Sequence, residues 1–252
     1  MEESTVLFSK NGPVAEIVLN RPRVINAYNV RMRDELFQAL EAIRDDPEVR
    51  VAVLRGAGDR GFCAGADLTE FGTAPSQVVA REVRWERDVW GLFLAITKPL
   101  VAAVHGHVIG SGVEMACLCD IRIASDDAVF SMPETSLGML PAAGGSQTLP
   151  RIVGPGVAMD ILLSGRTVSA QEAGRMGLVH AVVPRTRLLD EARRVAGELS
   201  SRSPAVMSAV KTAIRQGMDL TLAQGLELEG RLTAQVFGGR DEPSLAAGDT
   251  HA

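Results

Sequence analysis

The chain has 252 residues, of which 46% are hydrophobic and 23% charged, and its formal net charge is −5. This composition is close to the average for globular proteins, so it provides a core of normal size and excludes a disordered chain. The chain has no global excess of basic residues, which argues against nucleic acid or an anionic membrane as a partner.

The cysteines and the N-terminus bear on the cellular compartment. Cys63, Cys117 and Cys119 form an odd and sparse set, which is not a disulfide framework. A reducing, cytoplasmic location is the simplest interpretation. The segment Met1-Glu2-Glu3-Ser4 is acidic and polar, unlike a signal or transit peptide. No apolar run approaches the ~18 residues that a membrane span needs.

Strands and helices are predicted to alternate over the first two thirds of the chain, and helices dominate the last third. In chain order the predicted elements are a strand at 14–19, a helix at 30–44 capped by Asn29, a strand at 49–54, a helix at 77–96, a strand at 100–104, a helix at 113–118, strands at 121–124 and 128–131, a helix opening at 141–145, and then helices with one strand near 179–183. This order predicts an α/β fold with a core at 1–155, a helical region at 156–237 and a loose tail at 238–252.

Two glycine-rich loops, 62–67 and 106–112, follow predicted strands at their carboxyl ends, where α/β folds place ligands. Glycine lets backbone N–H groups approach a ligand closely, and two such loops can supply two amides to one developing oxyanion. Tight turns alone explain each loop equally well. Neither loop matches a phosphate-binding or dinucleotide fingerprint, and no Gly-x-Ser-x-Gly elbow occurs.

Two carboxylates have mostly apolar sequence neighbours. Glu114 lies in the first turn of a predicted apolar helix, and Glu134 follows Pro133 after a strand. A buried acid has a raised pKa that suits proton transfer. For either residue alone a structural role is the commoner one, a helix cap for Glu114 and an ion pair for Glu134. His105 and His107 lack further ligands nearby, so no metal site is expected.

A set of short motifs runs in one order over residues 6–237 and resembles the enoyl-CoA hydratase/isomerase (crotonase) family. The motifs are Leu19-Asn-Arg-Pro22, Asn26-Ala27, Phe62-Cys-Ala-Gly-Ala-Asp-Leu68, Lys98-Pro99, Gly112-Val-Glu-Met-Ala-Cys-Leu-Cys-Asp120, Met132-Pro-Glu134, Leu137-Gly-Met-Leu-Pro-Ala-Ala-Gly-Gly145, Leu163-Ser-Gly-Arg166, Ala170-Gln-Glu-Ala173, Gly177-Leu-Val179, Val183-Pro184 and Ser203-Pro204. The resemblance implies a crotonase-like spiral of ββα units. It also implies that the C-terminal helical region builds a homotrimer, often a dimer of trimers.

The resemblance further implies an acyl-CoA thioester as substrate. Its thioester oxygen would lie between the backbone amides of Ala66 and Ser111, where most relatives have glycine at the second position. Glu114 and Glu134 match the two catalytic glutamates of the hydratases. By resemblance, Glu114 deprotonates the water that adds to C3, Glu134 protonates C2, and the amide of Ala142 helps to hold the water. Contacts with coenzyme A or substrate are implied for four further residues, Arg60, Ala64, Asp67 and Leu68.

Hydration of a 2-trans-enoyl-CoA to a 3-hydroxyacyl-CoA is therefore the leading hypothesis, which makes the protein a carbon–oxygen lyase. It needs no metal or redox cofactor, and coenzyme A is part of the substrate. A double-bond isomerase of the same family is the nearest alternative, although isomerases usually need one acid. An RNA-binding or non-catalytic relative is an alternative of another class.

Two features leave the acyl specificity open. Relatives commonly continue beyond the position of Phe237 with a longer helix that closes over the acyl chain or touches coenzyme A, and this chain does not. Trp85, Trp90 and Phe93 either line the acyl pocket or belong to the core or a subunit contact, and the sequence does not separate these roles. Lys211 is a further candidate for contact with coenzyme A.

Overall fold

The computed structural model describes residues 3–70, 76, 82 and 85–238, and divides into two compact units between Ser201 and Arg202. The strands are β1 (Val6–Asn11), β2 (Val14–Leu19), β3 (Val51–Gly56), β4 (Gly61–Cys63), β5 (Leu100–Val104), β6 (His107–Ile109), β7 (Ile121–Ser125), β8 (Val129–Ser131), β9 (Val168–Ser169) and β10 (Ala181–Val183). The helices are α1 (Val30–Asp45), α2 (Val89–Ala95), α3 (Ser111–Leu118), α4 (Gly145–Val153), α5 (Pro155–Ser164), α6 (Ala170–Arg175), α7 (Leu188–Ser200), α8 (Pro204–Gly217) and α9 (Leu222–Gly238).

The strands of the first unit form two sheets that the chain visits in turn. The larger sheet has the order β1-β2-β3-β5-β7-β10, and the smaller has the order β4-β6-β8-β9. Only β1 and β9 run antiparallel to their neighbours. The pairs β3–β4, β5–β6 and β7–β8 each place one strand in each sheet, and a helix follows each pair. This arrangement is the spiral of ββα units that the sequence predicts.

Side chains of the larger sheet alternate between two buried faces, as the period of a strand requires. Ala52 and Leu54 of β3 point into the main core, which also holds the apolar stripe of α1. Val51 and Val53 point to the opposite face, which α7 covers with Leu188, Ala192 and Ala196. Because α7 packs on this sheet, the chain up to Ser201 forms one unit. The division of the chain into a site-bearing core at 1–155 and a helical region at 156–237 stays a prediction.

The first helix illustrates how closely local signals can predict an element. The five residues of its predicted stripe are all buried: Met32, Leu36, Ala39, Leu40 and Ile43. The Asn29 side chain accepts a hydrogen bond from the Met32 N–H at 2.9 Å, which is the expected N-cap.

The remaining predictions differ in outcome. Of the helix expected at 77–96, α2 covers 89–95, while 77–81 and 83–84 lie outside the described residues. The tail expected at 238–252 also lies outside them, apart from Gly238 at the end of α9. The described residues of the second unit form α8 and α9, which pack on each other. None of the helices in the described part of the chain is long and apolar enough to cross a membrane.

Candidate active site

A cavity of about 730 Å³ opens in the first unit. It lies where the parallel strands β4, β6 and β8 of the smaller sheet end, so the loops that leave these strands form much of its wall. Seven of the residues implied by the family resemblance line it together: Ala64, Ala66, Leu68, Ser111, Glu114, Glu134 and Ala142.

The two glycine-rich loops meet at Gly65 and Gly110. Gly110 has φ +49°, and a Cβ there would lie 2.7 Å from Glu134 Oε1 and 3.7 Å from Gly65 Cα, so only glycine fits at this contact. No acceptor among the described residues takes a hydrogen bond from the backbone N–H of Ala66 or of Ser111. Both residues line the cavity, and Ser111 begins α3, whose N-terminus carries partial positive charge. The cavity therefore presents two backbone donors suited to an anionic oxygen.

Glu114 is buried on α3 with only 2% of its surface exposed. Its Oε1 accepts hydrogen bonds from the N–H of Ala143 at 3.0 Å and of Gly145 at 2.9 Å. Burial raises the pKa of this carboxyl, and the charge of Glu134 adds to the increase. The two amides and the Ser111 hydroxyl act in the opposite direction, because they stabilise the carboxylate.

Glu134 opens a short 3₁₀ turn, Glu134–Leu137, directly after Pro133. Burial raises the pKa of its carboxyl as well. Its Oε2 is buried without a hydrogen-bond partner in the part of the chain that the structure describes. The two acids thus differ in their donors: Glu114 accepts two hydrogen bonds from other residues' amides, whereas the Glu134 carboxyl is stabilised by its own backbone N–H and leaves Oε2 unpaired.

Aromatic and aliphatic side chains form the rest of the wall. Tyr28 and Trp90 both line the cavity, and their ring centroids lie 5.5 Å apart. Phe93 is buried in the core, and Trp85 is 68% exposed and does not line the cavity. Of the three aromatic candidates, Trp90 is therefore the one placed at the pocket. Three apolar residues continue the wall: Leu137, Met139 and Leu140.

The other candidate residues lie elsewhere. The Arg60 side chain donates a hydrogen bond to the carbonyl of Arg23 at 2.7 Å and does not line the cavity. Asp67 also lies outside the lining. Its carboxylate accepts a hydrogen bond from the Thr69 hydroxyl at 2.6 Å and pairs with Arg21 at 2.9 Å, and both interactions lower its pKa. The contacts of Arg60 and Asp67 with coenzyme A stay predictions, as does that of Lys211, which is buried on α8.

The two amides that donate to Glu114 have no side-chain signal in the sequence. They belong to Ala143 and Gly145, next to the residue that the resemblance implied, Ala142. A backbone donor has no side-chain signature, so the paired glycines at 144–145 were the only available signal. The arginines that line the cavity, Arg33 and Arg87, were also missed.

Comparisons with known proteins identify the family and agree with the fold. The chain matches the family model described as Enoyl-CoA hydratase/isomerase over residues 9–245, and it belongs to this family. Among similar proteins, a probable enoyl-CoA hydratase of Rhizobium meliloti is 42% identical, with 96% of this chain and 93% of that protein covered. The crotonyl-CoA hydratase of Syntrophomonas wolfei is 36% identical over the same shares. The crystal structure of an enoyl-CoA hydratase from Bacillus anthracis superposes with a TM-score of 0.88 at 34% identity, covering 94% of this chain and 92% of that one.

Proposed function

We propose that the protein is an enoyl-CoA hydratase, which adds water reversibly and with syn geometry to a 2-trans-enoyl-CoA to give a 3-hydroxyacyl-CoA. The observation that carries this proposal is the unequal environment of the two acids. Glu114 accepts two backbone hydrogen bonds that favour its ionised form, and Glu134 has a buried, unpaired oxygen that favours its protonated form. Hydration needs one base and one acid at the same time.

In the proposed reaction, Glu114 takes a proton from water while the water oxygen bonds to C3. The electron pair of the double bond moves toward the thioester and builds negative charge on its oxygen. The N–H groups of Ala66 and Ser111 stabilise this charge, an effect worth ~3 kcal/mol per donor in related sites. Glu134 then delivers its proton to C2, the enolate returns to a thioester, and proton exchange with solvent restores both acids.

This chemistry uses side chains, backbone amides and water only. The two backbone amides stabilise the negative charge of the enolate, so we expect no requirement for a metal ion or a redox cofactor. Undiminished hydration after dialysis against a chelator is the expected result.

The names of similar proteins support hydration over isomerisation, since the Rhizobium meliloti and Syntrophomonas wolfei proteins are both named hydratases. The family also includes isomerases, which move a double bond without adding water. A direct test compares loss of the conjugated double bond of crotonyl-CoA with conversion of a 3-enoyl-CoA to its 2-enoyl isomer. Faster isomerisation than hydration would overturn the proposal.

The roles of the acids are tested by Glu114→Gln and Glu134→Gln. Each should lower kcat by at least ~10²-fold with little change in fold, the usual scale for loss of general acid–base catalysis. Glu48→Gln is the matched control, because Glu48 is exposed and pairs only with Lys10 in the described residues. Activity within twofold of the parent in either active-site variant would refute the assignment of that residue.

We further propose that the active form is a homotrimer or a dimer of trimers. The second unit exposes an unusual number of large apolar side chains, including Val210, Ile214 and Leu226. An apolar surface of this kind is typical of a protein–protein interface.

A further inference from the structure

Two arginines contribute to one part of the cavity wall. Arg33 on α1 and Arg87 just before α2 both line the cavity. The Arg87 guanidinium carbon lies 5.4 Å from the ring centroid of Phe37. Arg33 precedes Phe37 by one helical turn, and residues four apart on a helix are neighbours. Arg33 and Phe37 therefore share a face of α1, and Arg87 lies over the Phe37 ring.

The positive charge at this place is only partly balanced. Nε and one terminal nitrogen of Arg33 both donate to a single oxygen of Asp34, at 3.0 and 2.8 Å. The Arg33 side chain is 17% exposed, so its charge is largely removed from water. Arg87 pairs with no carboxylate among the described residues, and the adjacent Asp88 instead caps α2 through the Gly91 N–H. Arg87 is exposed, so its donors are open to an incoming anion, and the partly buried Arg33 adds a second positive charge to the cavity wall.

We propose that Arg33 and Arg87 form an anion subsite that binds a carboxylate at the far end of the acyl group. The preferred substrates are then thioesters of coenzyme A with unsaturated dicarboxylic acids. This inference rests on the proposed function, since it assigns the acyl group of the same reaction. Guanidinium suits the task because its parallel N–H groups bind a carboxylate in bidentate fashion.

The dimensions of the cavity favour a carboxylate over a phosphate of coenzyme A. A compact cavity of about 730 Å³ is on the order of 11 Å across. The pantetheine arm contains two amide units and extends roughly 15 Å between the thioester sulfur and the nearest phosphate. With the thioester oxygen at Ala66 and Ser111, the phosphates lie outside the cavity, whereas the end of a short acyl chain lies within it.

The test uses thioester pairs that differ only at the end of the acyl chain. Hydration of 2-pentenedioyl-CoA is compared with that of 2-pentenoyl-CoA, and hydration of 2-hexenedioyl-CoA with that of 2-hexenoyl-CoA. In at least one pair, kcat/KM for the diacid thioester should exceed that for the neutral one by tenfold or more. Arg33→Gln and Arg87→Gln should each reduce this ratio at least tenfold, and Arg87→Lys should retain part of it because the charge remains.

Arg44→Gln is the matched control, since Arg44 lies on α1 but does not line the cavity. Its ratio of kcat/KM for the diacid and neutral thioesters should equal that of the parent. A parent enzyme that hydrates the neutral thioesters with no preference for either diacid overturns the subsite alone. The subsite is also overturned if Arg33→Gln or Arg87→Gln leaves the ratio of kcat/KM for the diacid and neutral thioesters unchanged. If the glutamine variants also lose kcat/KM for crotonyl-CoA but not for crotonyl-pantetheine, the arginines bind a phosphate of coenzyme A. That result overturns the proposed carboxylate subsite. Failure of the parent to hydrate any thioester overturns the proposed function as well.

Discussion

Glu134 combines burial with an unpaired oxygen, and this has a consequence for stability. A carboxyl group whose pKa is raised on folding contributes its full stabilisation at pH values below its ordinary pKa. This contribution is lost as the pH rises through the raised pKa of the folded state. At alkaline pH the folded chain must therefore hold a buried carboxylate without a donor at Oε2. Catalytic residues commonly reduce stability in this way.

We therefore expect Glu134→Gln to unfold at a higher temperature than the parent at pH 8, by about 1–2 °C, because the half-buried carboxyl is partly screened by solvent. The gain should shrink toward pH 4, because the parent residue is then neutral too. Calorimetric scans across this pH range measure the difference. A gain that is equal at both ends of the range would show that ionisation of Glu134 is not its cause.

Ser111 contributes both a backbone amide and a hydroxyl at the site. The hydroxyl hydrogen-bonds to Glu114 and lowers its pKa, while the N–H faces the cavity as an unpaired donor in the described structure. Because the amide is present with any residue except proline, Ser111→Gly should keep kcat/KM within about threefold at its optimum, less than ~0.7 kcal/mol.

The same variant should move the acid limb of the pH profile. Without the hydroxyl the pKa of Glu114 rises, and the ionised base then forms only at higher pH. The acid limb of kcat/KM is thus expected to shift upward in pH. A loss of a hundredfold at the optimum in a folded variant would instead mean that the hydroxyl takes part in the chemistry.

At the scale of elements, the contact between α3 and β4 sets the spacing of the two glycine-rich loops, 62–67 and 106–112. A Cβ on Gly112 would lie 2.7 Å from the carbonyl oxygen of Cys63, which is backbone and cannot rotate away. Gly112→Ala should therefore push α3 from β4, lower the free energy of unfolding by ~1–3 kcal/mol and reduce kcat. Thermal unfolding and crotonyl-CoA hydration measure the two effects.

Gly156 offers a matched control, because it lies in α5 with no atom within 4 Å of a Cβ placed there. Gly156→Ala is expected to leave activity unchanged and to add about 0.5–1 kcal/mol of stability. Parental kcat in the Gly112 variant would show that the contact does not fix the loops.

Which elements the sequence could predict depended on how they are buried. The bounds predicted for β2 and β5 agree with the structure, since these strands have largely apolar sequences and are largely buried in the central part of the larger sheet. Strand β1 was missed because only Val6 of its six residues is buried, which leaves no alternation. Strands β4 and β6 have three residues each and pair over a long sequence distance, Gly61 with His107, which no local pattern contains.

The same limit applies to the site. Glu114 and Glu134 were predicted because their carboxyl groups are visible in motifs, and both line the cavity. The donors to Glu114 are backbone atoms of a remote helix start, and Asp67 pairs with Arg21, 46 residues earlier. Such partners are fixed by tertiary structure, so a list of residue types cannot reveal them.

At the scale of the whole molecule, the proposed assembly makes a measurable prediction. Light scattering at micromolar concentration should give a mass of three or six times 26.8 kDa. The double variant Ile214→Asp/Leu226→Asp should dissociate, because two charges replace side chains that are 60% and 57% exposed in the isolated chain. Gln216→Glu, at an exposed polar position of α8, should leave the mass unchanged. A monomeric parent protein would contradict the assembly.

The three cysteines are buried, so their reaction with an alkylating reagent can report when the core opens. All three cysteines are buried and form no disulfide among the described residues, and burial raises the pKa of Cys63 to about 12 and that of Cys117 to about 11. The thiolate is the reactive form, and the raised pKa keeps the buried Cys63 thiol protonated at pH 8. Alkylating reagents will therefore modify the chain at the rate at which its core opens. Cys63 contacts the start of α3, so its rate of modification reports how often the two glycine-rich loops separate. If the proposed thioester binds there, it should slow this modification.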